Sequence, residues 1–335
     1  MRPAIRFLGG VVLGGGALAG YLLYVGPGDV AARASAVAPW ALALVVVLVV
    51  TEGIVDGVGV WASVRPLGDG LSWPQSVQFA LAGDYFDTLS PAGPVSSEPI
   101  VARFLGVETD TAYSEALAVR SVAKYVKAAA QLALSVAVGL LATVGGSAAG
   151  DLVTTLGGAV LGVFLLGAVV VTARRPLTRL LVFVLTPVVA VVSSLYREDP
   201  HDRSVVERAF ERFWDRVFQF RGAPKLLALV ALGGMAEQIL LAAALWTALA
   251  GTGTSAVLFP LVVVVPLPQV ASVVPIPGSI GAYDVLLSGA VALVTGAPVA
   301  AATAAVLVVR TVSIPFAVTV GGLAAAFLRG WRPRV

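Results

Sequence analysis

The run from Val299 to Phe327 is 29 residues long and carries a single charge, Arg310. About 20 helical residues cross the roughly 30 Å hydrocarbon core of a bilayer. A run this long and apolar is therefore read as a membrane span with a guanidinium near its middle. A charge at that depth costs about 2.5–3.5 kcal/mol on insertion scales, and Arg310 is too far from either end of the run to reach water. It needs an anionic partner, either a carboxylate of the same chain or a phosphate. The fold must therefore supply a polar interior as well as an apolar exterior.

Further apolar stretches predict spans at 5–25, 39–63, 114–145, 152–173, 223–250, 256–274 and 280–297. The expectation is one integral membrane domain over 1–335, an all-α polytopic bundle of about eight transmembrane helices. Composition agrees: of 335 residues 58% are hydrophobic and only 12% charged, against about 25% charged in a soluble domain. Basic residues flank the spans at Arg2, Arg6, Arg65, Arg174, Arg175, Arg179, Arg329, Arg332 and Arg334. The loops 145–151 and 251–255 carry one acid, Asp151, and no base. The positive-inside rule then puts both termini in the cytoplasm of a multi-pass cell-membrane protein. The basic start and the run Phe7–Val25 resemble a signal peptide, but the run is long and the small-residue site Ala34-Ser35-Ala36 lies far beyond it. The segment is read as a retained first span.

The chain has no cysteine and one histidine, His201, in a polar segment. Disulfides, thiol chemistry and multi-histidine metal sites are excluded, and neither a metal nor a cofactor is expected. The net charge of +3 sits mostly on arginines beside the spans. That pattern marks topology, and no nucleic-acid partner is expected.

Three segments do not fit plain spans. Residues 76–106 form a broken apolar pair, predicted to be a re-entrant hairpin covered by protein or lining a wet cavity. Residues 177–196 contain Pro187 and are read as a shallow or re-entrant helix. Residues 204–220 place Val206, Phe210, Phe213, Trp214, Val217 and Phe218 on one helical face, with charges elsewhere. This predicts an amphipathic helix lying on the cytoplasmic surface.

A weak repeat links the two halves. SPAGPVSSEP (90–99) and the segment PIPGSIGAYD (275–284) each place an acid seven residues after a proline, Pro91 to Glu98 and Pro277 to Asp284. Glycines follow at Gly93 and at Gly278 and Gly281. A later helix then carries VRSVAKYV with Arg120 in one case and VRTVSIPF with Arg310 in the other. Broken apolar segments in matching positions of two halves point to a transporter-like site near the midplane. The halves are taken as 5–173 and 223–328, joined by an interfacial connector over 174–222.

Acids in the apolar runs complete the candidate site. Glu52 and Asp56 share a helix face at i and i+4, Glu237 lies in the 223–250 span, and Asp84 and Asp87 lie in the hairpin. Glu52, Asp56, Asp84 and Glu237 are read either as charge partners of basic residues such as Arg120, Lys124 and Arg310 or as coupling groups for a proton or cation, and Asp84 and Asp87 either as lining the hairpin or as helix-capping or solvated residues.

At these residues the chain resembles the flippase-like integral membrane family that includes the transmembrane domain of lysylphosphatidylglycerol synthase. The segment SPAGPVSSEPIVAR, with Glu98, Pro99 and Arg103, is similar to that family's first motif. PIPGSIGAYD is similar to the second, with Ser279 in place of a glycine and Asp284 in place of a glutamate. The shorter acid keeps the charge and loses reach. The resemblance covers roughly 5–328 and implies a helical bundle with paired re-entrant segments that moves an anionic phospholipid or a polyprenyl-phosphate-linked sugar between leaflets. Glu98, Arg103, Arg120, Lys124, Asp284 and Arg310 would line its groove. Multidomain members attach a soluble aminoacyl-transferring domain after the membrane part. This chain ends at Val335, so no synthase activity is expected.

Three other readings compete. An ion-coupled transporter of a small soluble solute would use Glu52 and Asp56 for coupling. A membrane enzyme acting on a lipid phosphate lacks any visible nucleophile–base pair. A non-catalytic partner of a cell-envelope glycosyltransferase would dock through 204–220.

Overall fold

The computed structural model of the protein describes residues 3–90, 94–143, 150–194, 203–267 and 280–331. Within them the chain is helical and contains no strand. Pro91, Gly93, His201, Pro277 and Gly278 lie outside the described residues.

Among the described residues four segments are long and apolar enough to cross a membrane: α3 (Pro39–Val64), α6 (Tyr113–Thr143), α10 (Pro224–Gly251), and α13 (Val299–Phe316) with its continuation. Proline opens α3 and α10, where its missing N–H and fixed φ cost nothing. α13 runs on through a π turn at Ala317–Gly321 into α14 (Gly322–Ala326). The irregular turn follows Pro315, which removes one backbone donor inside the helix. Around these stand α1 (Pro3–Val25), α2 (Pro27–Ser35), α7 (Gly150–Thr172) and α8 (Arg174–Ser194).

The long helices pack through two apolar clusters. One joins Val45 and Val49 of α3 to Leu245 and Leu249 of α10, Leu261, Leu287 and Val306. The other joins Val60 and Val64 of α3 to Phe79, Phe86, Phe104, Leu105, Val119 and Ala325. Along α3 the first cluster precedes the second, and α13–α14 follows the same order. Helix α6 runs the opposite way, with Val119 in the second cluster and Leu134 and Val138 against the first. Helix α10 also runs that way, from Leu227 to Leu249. Of their ionisable side chains, Glu52 and Asp56 of α3, Lys124 and Lys127 of α6 and Glu237 of α10 fall between the two clusters, with Arg120 at the edge of the second and Arg310 at the edge of the first; Glu115 and Lys225 lie at the helix starts, outside this layer. Each long helix thus crosses one ionic layer.

Between the long helices lie short ones. α4 (Trp73–Leu89) and α5 (Pro94–Glu108) occupy the stretch expected as a hairpin, and at 17 and 15 residues neither reaches 30 Å. α11 (Leu258–Val264) and α12 (Ala282–Thr295) are shorter still. The stretch expected as a span over 256–274 is helical only across Leu258–Val264 among the described residues. Val265 keeps helical dihedrals, and Pro266, which follows it, has no backbone N–H with which to continue the ladder. Close approach sets where α4 sits. A Cβ on Gly321 would collide with the Leu81 carbonyl oxygen, so only glycine lets the π turn reach α4.

Helix α8 is continuous through Pro187. The amphipathic 204–220 stretch forms α9 (Arg203–Gln219), which packs on both α6 and α8. Its apolar face is partly covered: Val206 is buried, and the Trp214 indole donates to Thr178 Oγ1 of α8 at 2.9 Å. Arg216 anchors it to Glu115 of α6 at 2.9 Å.

Candidate functional site

The ionic layer is built from residues that the helices bring to one depth. Arg120 of α6 binds Glu98 of α5 through two parallel bonds, Nε to Oε2 at 2.7 Å and Nη2 to Oε1 at 2.8 Å. This fork is the geometry in which a guanidinium recognises a carboxylate most strongly. Lys124, one turn along α6, lies 3.1 Å from Glu98 and 3.4 Å from Asp87 of α4. Asp87 also accepts a hydrogen bond from Ser97. A further turn along, Lys127 bridges Asp56 of α3, at 3.0 Å, and Glu237 of α10. Four helices are tied by these contacts to one face of α6.

The second motif forms its own pair. Arg310 Nε lies 2.8 Å from Asp284 Oδ1, and its guanidinium stands 5.1 Å from the centre of the Tyr283 ring. Asp284 sits in the first turn of α12, where its Oδ2 accepts from the Gly281 amide at 2.9 Å. Gly281 has φ 88°, a conformation that side chains resist and glycine tolerates. The turn that aims Asp284 at Arg310 therefore depends on that glycine. In both motifs the acid meets the arginine of the later helix.

A cavity of about 200 Å³ lies at the same level. Glu52, Asp84 and Asp87 line it from α3 and α4, and Tyr283 and Arg310 from α12 and α13. Leu48, Leu241, Leu287 and Phe316 are among its apolar walls. Asp87 joins the cavity to the Lys124–Glu98–Arg120 network. Glu52 and Asp84 form no ion pair among the described residues, whereas the other acids of the layer do. Seven carboxylates (Glu52, Asp56, Asp84, Asp87, Glu98, Glu237, Asp284) face four cations (Arg120, Lys124, Lys127, Arg310) in this layer. The acid excess favours bound protons, cations or hydrogen-bond donors.

The expected residues divide by place. Glu98, Arg120 and Lys124 come together, as do Asp284 and Arg310; Asp56 and Glu237 share Lys127. Arg103 stays apart, exposed beside an aromatic notch with Phe104, Tyr113 and Trp331. It follows Glu98 by five residues, which on a helix is a rotation of about 140° away from it. Sequence reasoning did not assign Lys127 a place in the site. Its spacing from Arg120 and Lys124, at i+7 and i+3, marked one face of α6 and was the available signal. Tyr283 was also missed; its adjacency to Asp284 gave no hint that its ring would face Arg310.

Searches among curated proteins and among solved structures found no match. The family model for the lysylphosphatidylglycerol synthase transmembrane region, by contrast, matches residues 7–322. That match takes in α3 to α13 and every residue of the ionic layer, and the chain belongs to the lysylphosphatidylglycerol synthase transmembrane family.

Proposed function

We propose that the protein is a flippase that carries the phosphate-bearing headgroup of an anionic lipid across the membrane through the ionic layer. The observation that carries this reading is the cavity in which Arg310 meets Glu52, Asp84 and Asp87. The guanidinium offers a charge-matched fork to a phosphate, and the carboxylates accept from headgroup hydroxyls or an ammonium. Its volume of about 200 Å³ is below that of a drug-sized pocket, about 300–1,000 Å³. It suits a phospholipid headgroup better than a large lipid-linked glycan.

Two further features support the reading. The ion pairs Glu98–Arg120 and Asp284–Arg310 join equivalent positions of the two motifs. The short helices α4 and α5, and α11 and α12, precede the helices that carry those arginines. Both fit a two-fold pseudo-repeat, with halves 5–173 and 223–328 that rock about the ionic layer. In this reading eight spans place both termini in the cytoplasm, and the short pairs are re-entrant. The mechanism follows from differential contact. A phosphate entering the cavity competes with Asp284 for Arg310, and the freed Asp284 remains held by the Gly281 amide. The headgroup crosses in the ionic layer while its chains stay in lipid.

The test is headgroup translocation in proteoliposomes, with fluorescent anionic phospholipid in one arm and a polyprenyl-phosphate sugar in the other. Wild type scrambles the phospholipid, and Arg310→Ala and Asp87→Asn abolish it while the protein stays folded. Movement that survives both substitutions removes the cavity from the route. A second reading, an ion-coupled transporter of a small soluble solute, is favoured by the two cavity acids without ion pairs, Glu52 and Asp84. It requires solute uptake driven by a proton or sodium gradient, with no lipid movement.

A further inference from the structure

A second charged feature lies away from the cavity. A notch of about 590 Å³ between α8 and α9 is lined by Arg174, Arg175 and Arg179 on one side and by Glu211, Trp214 and Phe218 among others on the opposite side. The guanidinium carbons of Arg174 and Arg221 stand 4.4 and 4.5 Å from the centre of the same Phe218 ring. They are therefore within about 9 Å of each other, where like charges repel. The acids of the notch, Glu211 and Asp215, are exposed, and among the described residues neither is ion-paired with these arginines. Four arginines against two carboxylates leave a local excess of positive charge. The Trp214–Thr178 hydrogen bond, at 2.9 Å, fixes the aromatic wall to α8.

The surface beside the notch changes character abruptly. Past Arg179, helix α8 exposes Leu180, Phe183 and Val184, and Phe183 is 79% exposed. Phe183 is one turn, about 6 Å, beyond Arg179 on the same face. A cationic aromatic notch that opens directly onto an exposed apolar strip matches a ligand with an anionic head and hydrocarbon chains. A soluble phosphate would leave the strip unused.

We infer that the α8–α9 notch is a binding site for the headgroup of an anionic phospholipid at the membrane surface, with its acyl chains lying along the apolar strip of α8. The site is separate from the cavity and stands whichever cargo crosses there. Its arginines contribute both charge and stacking on Phe218.

The chain contains no cysteine, so a fluorophore on Phe183→Cys reports from one place, and one on the exposed Phe164→Cys of α7 serves as a control. Each labelled protein is placed in nanodiscs with nitroxide-chain phosphatidylglycerol or nitroxide-chain phosphatidylcholine. Quenching at 183 by phosphatidylglycerol exceeds that by phosphatidylcholine about three-fold, with no preference at 164. The preference weakens in Arg175→Gln, whose side chain is exposed, and falls to parity in Arg174→Gln/Arg175→Gln/Arg179→Gln. The corresponding triple lysine variant keeps most of it, which separates loss of charge from loss of fold. Millimolar glycerol phosphate leaves it unchanged. Equal quenching by both lipids at 183, an equal preference at 164, or survival in the triple glutamine variant overturns the proposal. Abolition by glycerol phosphate also overturns it, because the notch would then be a soluble-anion site.

Discussion

Asp284 divides its two oxygens between two tasks: Oδ1 meets Arg310 at 2.8 Å, and Oδ2 accepts from the Gly281 amide at 2.9 Å. One buried carboxylate thus neutralises a partly buried guanidinium and also closes the first turn of its own helix. The tasks separate by substitution. Asp284→Asn keeps an acceptor for Gly281 and loses the charge; Asp284→Ala loses both. Removing one partner of a buried pair costs about 3–5 kcal/mol, and a lost N-terminal cap adds about 1 kcal/mol. Unfolding in detergent is expected to rank the proteins wild type, Asn, then Ala. Equal stability of the two variants would remove the cap from the account.

The Glu98–Arg120 fork gives a second expectation. Arg120 is only 7% exposed, so Arg120→Met leaves Glu98 with Lys124 alone. The single substitution is expected to destabilise by about 3 kcal/mol, and the double Glu98→Gln/Arg120→Met by less than the sum of the two single changes. A double-mutant cycle on unfolding midpoints measures the difference. Additive effects would mean the fork contributes no coupling.

Lys127 serves two acids from different helices, Asp56 and Glu237. Lys127→Met strands both and is expected to be among the most destabilising single changes in the layer, by about 3–5 kcal/mol. Adding Asp56→Asn and Glu237→Gln removes the stranded charges and is expected to recover much of the loss. Thermal unfolding of the single and triple variants reads this directly.

Backbone approach yields a prediction free of charge. Gly321→Ala forces a methyl against the Leu81 carbonyl, whereas a Cβ on Gly162 of α7 meets nothing within 4 Å. The first is expected to cost about 1–3 kcal/mol by overpacking. The second is expected to be neutral or slightly stabilising, because alanine favours helix over glycine. Comparing the two unfolding midpoints tests whether the α4 contact is as tight as described.

The long helices were legible because apolar runs of more than 20 residues have few alternatives, and prolines at 39 and 224 marked two of their starts. The helix end at Val264 was not, because hydropathy does not register that Pro266 lacks the N–H needed to extend a helix inside an apolar run. The pairing of Glu98 with Arg120 and of Asp284 with Arg310 could be anticipated, since a deep charge demands a counter-charge and the motifs offered one each. Arg103 was grouped with Glu98 because both belong to the segment that resembles the family's first motif, but helical rotation turns it away. Lys127 lay on the same stripe of α6 as two residues already selected, yet which acids it would reach depends on how α3 and α10 pack, and no local pattern encodes that.

Asp87 belongs at once to the cavity wall and to the grip on Lys124 and Ser97. A donor that enters the cavity and bonds to Asp87 draws on an anion already shared. Lys124 then leans further on Glu98, and Glu98 divides its charge differently with Arg120. Occupancy beside α13 thereby alters the force balance on α5 and α6 through rearranged hydrogen bonds alone. A single line of side chains, Asp87, Lys124 and Glu98, thus leads from the cavity wall to the Arg120 fork.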